Sequence, residues 1–201
     1  MKALRKKLLP LTLFGIAVTS LFSVRPAQAY SVRLKEVGAN VVANGSGAIN
    51  LTGLTFITSV DDANPGIDAG LGLIATGPFA TTVDAYQGFT GPTDFGSGSG
   101  FSPNTASGDF VEISGVGLQL FVRLNYVSGA ALSDSMTFNN ATFASLGVTP
   151  GTYVWSWGTG LPNQNFTLVV GGAGVPDGGS TVSLLAFGLL GLAALRRKLS
   201  W

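Results

Sequence analysis

The sequence predicts an all-β protein, an antiparallel β-sandwich of jelly-roll type, and three observations carry that expectation. Glycine supplies 29 of the 201 residues, and Thr, Ser, Val and Asn are plentiful. No stretch between Tyr30 and Gly171 sustains a helical apolar period over three turns. Val116 to Tyr126 alternates strictly, with Val116, Leu118, Leu120, Val122, Leu124 and Tyr126 on one face and Gly117, Gln119, Phe121, Arg123 and Asn125 on the other, as a half-buried strand should.

The chain divides before it folds. Lys2, Arg5, Lys6 and Lys7 precede an apolar run from Leu8 to Val24, and Ala27-Gln28-Ala29 then offers small residues around a larger one. That order is a secretory signal peptide over residues 1–29, cut after Ala29. The sandwich occupies residues 30–170. Its strands are expected at Tyr30 to Val37, Ile49 to Thr58, Leu71 to Ala75, Phe110 to Ser114, Val116 to Tyr126, Ser135 to Phe138, Thr152 to Trp157 and Phe166 to Val170, each closed by Gly, Pro, Asn or Asp. At about 3.3 Å per residue the Val116 to Tyr126 strand would span roughly 36 Å, so a bend near Gly115 or Gly117 is expected. Thr149-Pro150-Gly151 is a turn in which proline presets φ and glycine accepts a positive one. The stretch from Gly88 to Gly108, rich in Gly, Ser and Pro, reads as a flexible surface excursion.

Charge and composition exclude several chemistries. From Tyr30 to Asp177 the basic residues are Arg33, Lys35 and Arg123, against all ten acidic residues of the chain. Such a domain lacks the basic stripe that nucleic acid requires. There is no cysteine and no histidine, which removes disulfides, thiol nucleophiles, imidazole triads and Cys or His metal sites. No pair of carboxylates is set at a fixed spacing for glycoside hydrolysis, so no catalytic residue and no cofactor is expected. "DDANPGID" places Asp62, Asn64 and Asp68 as a calcium candidate, but Pro65 and Gly66 break the ligand order and no bidentate Glu follows; an Asx-type turn accounts for it as well. Tyr153, Trp155 and Trp157 share one face of a strand. Buried, they are core; exposed, they would stack on sugar rings as a lectin-like module does.

The carboxyl end has a physics of its own. "GGAGVPDGGST", residues 171–181, carries five glycines and reads as an open linker that a cutting enzyme can grip. Val182 to Leu195 is fourteen uncharged residues with Ser183 as its one hydroxyl, and Arg196, Arg197 and Lys198 close it. A uniformly apolar run with a basic end is the positive-inside pattern, so residues 182–201 are expected as a transmembrane helix and cytoplasmic tail, with the sandwich on the far side of the inner membrane.

Val175-Pro176-Asp177-Gly178-Gly179, followed by the apolar run and the basic cluster, resembles the PEP-CTERM class of bacterial sorting signals in its VPDSG variant. Gly179 stands in the motif here, and the Pro-Glu-Pro of the commoner form is absent. The resemblance implies an exosortase, a membrane-embedded cysteine enzyme of Gram-negative bacteria that make exopolysaccharide, as processing partner. Ser133 to Gly160 also resembles a segment frequent in proteins with this tail. Together these lead to an exported, non-enzymatic surface or matrix protein with extracellular polysaccharide as a further partner, the alternative being a carbohydrate-binding module built on the aromatic face or the Gly88 to Gly108 stretch.

Overall fold

A computed structural model describes residues 28–171. Thirteen strands run through them: β1 (Ser31–Val37), β2 (Asn40–Ala48), β3 (Thr55–Ala63), β4 (Gly66–Asp68), β5 (Leu73–Thr76), β6 (Thr81–Gln87), β7 (Phe89–Thr90), β8 (Thr105–Gly108), β9 (Val111–Ser114), β10 (Gln119–Arg123), β11 (Ala131–Phe138), β12 (Gly151–Trp157) and β13 (Asn165–Val170). They form a seven-stranded sheet, β7-β12-β13-β1-β2-β11-β8, and a six-stranded sheet, β3-β6-β10-β9-β5-β4. Val32, Leu34, Val41, Ala43, Trp155, Phe166 and Leu168 of the first sheet share one core with Ile74, Val111, Ile113, Leu120 and Val122 of the second.

The two-sheet, antiparallel-rich architecture is as expected; its jelly-roll detail is not. A jelly roll has about eight strands, whereas thirteen are present among the described residues, and the first and last of them, β1 and β13, pair in parallel with Ser31 opposite Thr167 and Leu34 opposite Val170. The helical flanks expected at residues 1–29 and 182–201 lie outside the described residues apart from Gln28 and Ala29. Among the described residues no helix is long and apolar enough to cross a membrane.

Inward and outward positions follow the pleat. Along β11, Leu132, Asp134, Met136 and Phe138 are buried, while Ala131 and Ser133 face water. In β13 the buried set is Phe166, Leu168 and Val170. The strand expected over Val116 to Tyr126 is corrected to β10 alone. Leu118 at φ 51° and Asn125 at φ 58° leave the extended region, so residues 115–118 turn the β9–β10 hairpin and the chain leaves the strand after Arg123. Val116, Leu118 and Leu124 are accordingly exposed, and only Leu120 and Val122 of the alternating set, with Tyr126 beyond the strand, enter the core.

Two further expectations change. Ile49 to Thr58 is not one strand, because Leu51 to Leu54 forms a turn between β2 and β3. Gly88 to Gly108 is a pinned excursion, not a flexible one. Its ends are β7 and β8, Phe95 is 1 % exposed, Ser97 N–H bonds Gly147 O at 2.9 Å, and Ile67 and Phe101 exchange two backbone bonds of 2.8 Å. Each bond removes a backbone group that a mobile loop would leave to water.

Candidate functional site

The sequence directs attention to three places, and the structure treats them differently. On β12, Tyr153, Trp155 and Trp157 do point to one side, and that side is the core. Trp155 is fully buried and Trp157 is 6 % exposed. Both indoles donate inward, Trp155 Nε1 to Pro92 O at 2.8 Å and Trp157 Nε1 to Asn50 O at 2.7 Å. Trp155 also packs edge-on against Phe166, ring centroids 5.6 Å apart, and a Cβ at Gly91 would overlap its ring. Tyr153 is half-buried and donates to Thr149 O. Neither indole presents a face to solvent, so the set is core and no stacking platform.

Asp62, Asn64 and Asp68 are spread over two chain turns. Asn64 Nδ2 donates to Asp62 O at 2.6 Å, and its Oδ1 accepts the Ala80 N–H at 3.1 Å. Asp68 accepts from the Ser99 hydroxyl at 3.4 Å. The Asn64 amide is thereby committed to backbone partners, its oxygen to Ala80 sixteen residues on and not to the N–H two residues on that the expected Asx-type turn would use, and among the described residues no group of three or more His, Cys, Asp or Glu side chains stands close enough to hold a metal.

A buried polar cluster that the sequence did not announce lies between the sheets. Tyr30, just ahead of β1, sends its hydroxyl across the core to donate to Asp134 Oδ2 at 2.5 Å, within 3.1 Å of Thr76 Oγ1 on β5. Thr76 in turn donates to Val111 O at 3.1 Å. The cluster needs Gly45 on β2, since a Cβ there would collide with the Asp134 carboxylate and the Tyr30 hydroxyl. Among the described residues Asp134 Oδ1 has no hydrogen-bond partner. Burial pushes the Asp134 carboxyl up to about 6, against the opposing pull of the Tyr30 and Thr76 hydroxyls. The same burial, with the Asp134 charge adding to it, pushes the Tyr30 phenol well above its ordinary value. The signal for this cluster was an acid at an inward position of an alternating strand, Leu132-x-Asp134-x-Met136-x-Phe138. The strand expected over Ser135 to Phe138 excludes that acid, whereas β11 begins at Ala131 and includes it.

A second carboxyl, Glu112 on β9, stands between Ala75 of β5 and Phe121 of β10. Burial on that apolar face raises it to about 7.

The outer face of the seven-stranded sheet carries rows of mostly polar side chains. One row across it reads Thr152, Val169, Arg33, Asn44, Ser135, Ser107, from β12 to β8. Lys35, Val42, Thr137 and Thr105 form another. The ion pair found among the described residues, Arg123 with Asp109 at 3.1 Å, lies elsewhere, so Arg33 and Lys35 have no carboxylate partner there.

The sorting residues Val175, Pro176, Asp177, Gly178 and Gly179, the basic cluster Arg196, Arg197 and Lys198, and the signal residue Ala27 lie outside the described residues. What is described is where the chain departs toward them. β13 ends at Val170, and Gly171 N–H still bonds Leu34 O at 3.0 Å, so the motif begins within a few residues of a central strand. At the other end Ala29 is bridged to Ala48.

Compared with known proteins, residues 174–199 match the model of the VPDSG-CTERM motif, consistent with a sorting domain of the PEP-CTERM type. No curated protein and no solved structure matches the chain. The motif marks a C-terminal sorting signal on an exported protein, and such signals in general imply processing by an exosortase-type enzyme.

Proposed function

We propose that the chain is a non-enzymatic surface or matrix protein. A signal peptide over residues 1–29 carries it through the inner membrane, the apolar segment 182–195 holds it there, and Arg196, Arg197 and Lys198 remain on the cytoplasmic side. An exosortase-type enzyme then acts at Val175 to Gly179 and transfers or releases the sandwich. The observation that carries this reading is the sorting-motif match at residues 174–199. The glycine-rich segment supports it physically, because a protease or transferase needs an extended, unpaired backbone.

Extracellular polysaccharide is the further partner of this reading. With Trp155 and Trp157 committed to the core, the supporting surface is the outer face of the seven-stranded sheet, where hydroxyls, amides, Arg33 and Lys35 stand in register. Such groups hydrogen-bond sugar hydroxyls and pair with acidic sugars.

The test is the mass of the mature protein isolated from its native host. The expected product ends within Val175 to Gly179. Mature protein that retains residues beyond Gly179 overturns the processing step.

A further inference from the structure

We propose that the folded sandwich seals its own leader junction, so that leader removal occurs only on the unfolded chain and folding follows it. The inference rests on the reading of residues 1–29 as a leader cut after Ala29.

The bond in question joins Ala29 to Tyr30, and the structure fastens it from both sides. Ala48, at the end of β2, straddles it: its N–H donates to Gln28 O at 2.8 Å and its carbonyl accepts the Tyr30 N–H at 3.1 Å. On the opposite side Tyr30 O accepts the Thr167 N–H of β13 at 3.2 Å. Tyr30 therefore sits inside the sheet with strand neighbours left and right. Proteases take their substrates as extended segments by pairing with free backbone groups, and at Tyr30 those groups are used.

The side chain closes the remaining approach. Tyr30 is 0 % exposed, packed against Phe166 with ring centroids 5.2 Å apart, and its hydroxyl reaches Asp134 between the sheets. Gly47, at φ 127°, completes the enclosure: a Cβ there would stand 2.6 Å from Ala29 O and 2.7 Å from Gln28 O. Freeing the junction means breaking the Ala48 and Thr167 bonds and withdrawing the Tyr30 ring from the core. That is an opening of the central sheet, at the high-cost end of local unfolding.

A chain that folded with its leader attached would thus keep it. A chain cut first folds without obstruction, since the α-ammonium released at Tyr30 can donate to Ala48 O as the amide does, now with charge assistance.

The experiment uses the full-length precursor in detergent micelles with leader peptidase from a Gram-negative inner membrane. Rates of appearance of an amino terminus at Tyr30 are compared for wild type and Trp155→Ala, at a urea concentration between their two unfolding midpoints. Both chains have the same junction and differ only in being folded or unfolded. A synthetic leader peptide of a different exported protein, an established substrate of the peptidase, reports that the enzyme is active in that urea. Because cleavage of a folded chain proceeds through its rare open form, the unfolded variant should be cut at least ~10-fold faster midway between the two midpoints. Equal rates overturn the proposal while leaving the leader reading intact. If neither chain is cut and the peptide is, residues 1–29 are not a removable leader, and the proposal falls with that reading.

Discussion

Removing one oxygen atom, by Tyr30→Phe, isolates the energetics of the cluster between the sheets. The substitution keeps the ring against Phe166 and deletes the donor to Asp134 Oδ2. Above pH of about 6 the Asp134 carboxyl is ionised, and the lost bond is charge-assisted, worth ~1.5–3 kcal/mol. The Thr76 hydroxyl, 3.1 Å from the phenol, already donates to Val111 O, so it can replace the lost donor only by giving up that bond. Below that pH the carboxyl is protonated and a neutral bond of ~0.5–1.5 kcal/mol is lost instead. The sign follows from linkage. Asp134 is held above its ordinary value of 3.8, so its protonation favours the fold, and that favour fades as pH rises toward 6. Without the phenol the folded carboxyl moves higher still, which widens the penalty on the alkaline side. With a urea slope of ~2 kcal/mol/M, the midpoint should fall by about 1 M at pH 8 and about half that at pH 5. The assay is urea unfolding of the full chain in micelles, followed by tryptophan fluorescence in a Trp201→Phe background so that Trp155 and Trp157 dominate the signal. An equal loss at both pH values, or a larger one at pH 5, refutes the reasoning.

Glu112 gives an independent titration. Burial holds it at about 7 against 4.5 in the unfolded chain, so its contribution to stability is present below pH 4.5 and is lost as pH rises to 7. Glu112→Gln should therefore stabilise by about 3 kcal/mol at pH 8 and by almost nothing at pH 4, read as the difference between urea midpoints; a gain independent of pH contradicts the burial argument. On the outer sheet face, Arg33→Ala with Lys35→Ala should reduce cosedimentation of the protein with its host's exopolysaccharide several-fold, more at low than at high salt. Unchanged cosedimentation removes that face as the contact.

The parts of the fold that could be read from sequence are those where side chains alone decide. β1, β9, β12 and β13 carry buried aliphatic or aromatic residues in alternation, and each was anticipated within a residue or so of its observed ends. β2, "NVVANGSGA", was invisible because its inward positions shrink from Val41 through Ala43 to Gly45, where Tyr30 and Asp134 fill the space a side chain would take. That reason lies on other strands. Val116 to Tyr126 misled for the opposite cause: its apolar alternation continues through Leu118 and Asn125, whose positive φ bends the chain away. Phe95 and Phe101 were the overlooked anchors in the glycine-rich stretch. The sorting motif is contiguous and is recognised as a string, so it was legible at once. The polar cluster unites residues 46 and 104 positions apart and acquires meaning only when the sheets close.

The parallel pairing of the first and last strands has a mechanical corollary. If the sandwich is pulled through the segment that follows Gly171, the load enters along β13, which is held at four register positions by β1 and at six by β12. Force along a strand gripped on both flanks acts on those ladders in shear, so many bonds must yield together instead of opening one after another. A domain built in this way resists being drawn out from its carboxyl end, and its lifetime under tension is set by the rate of unfolding and not by equilibrium stability.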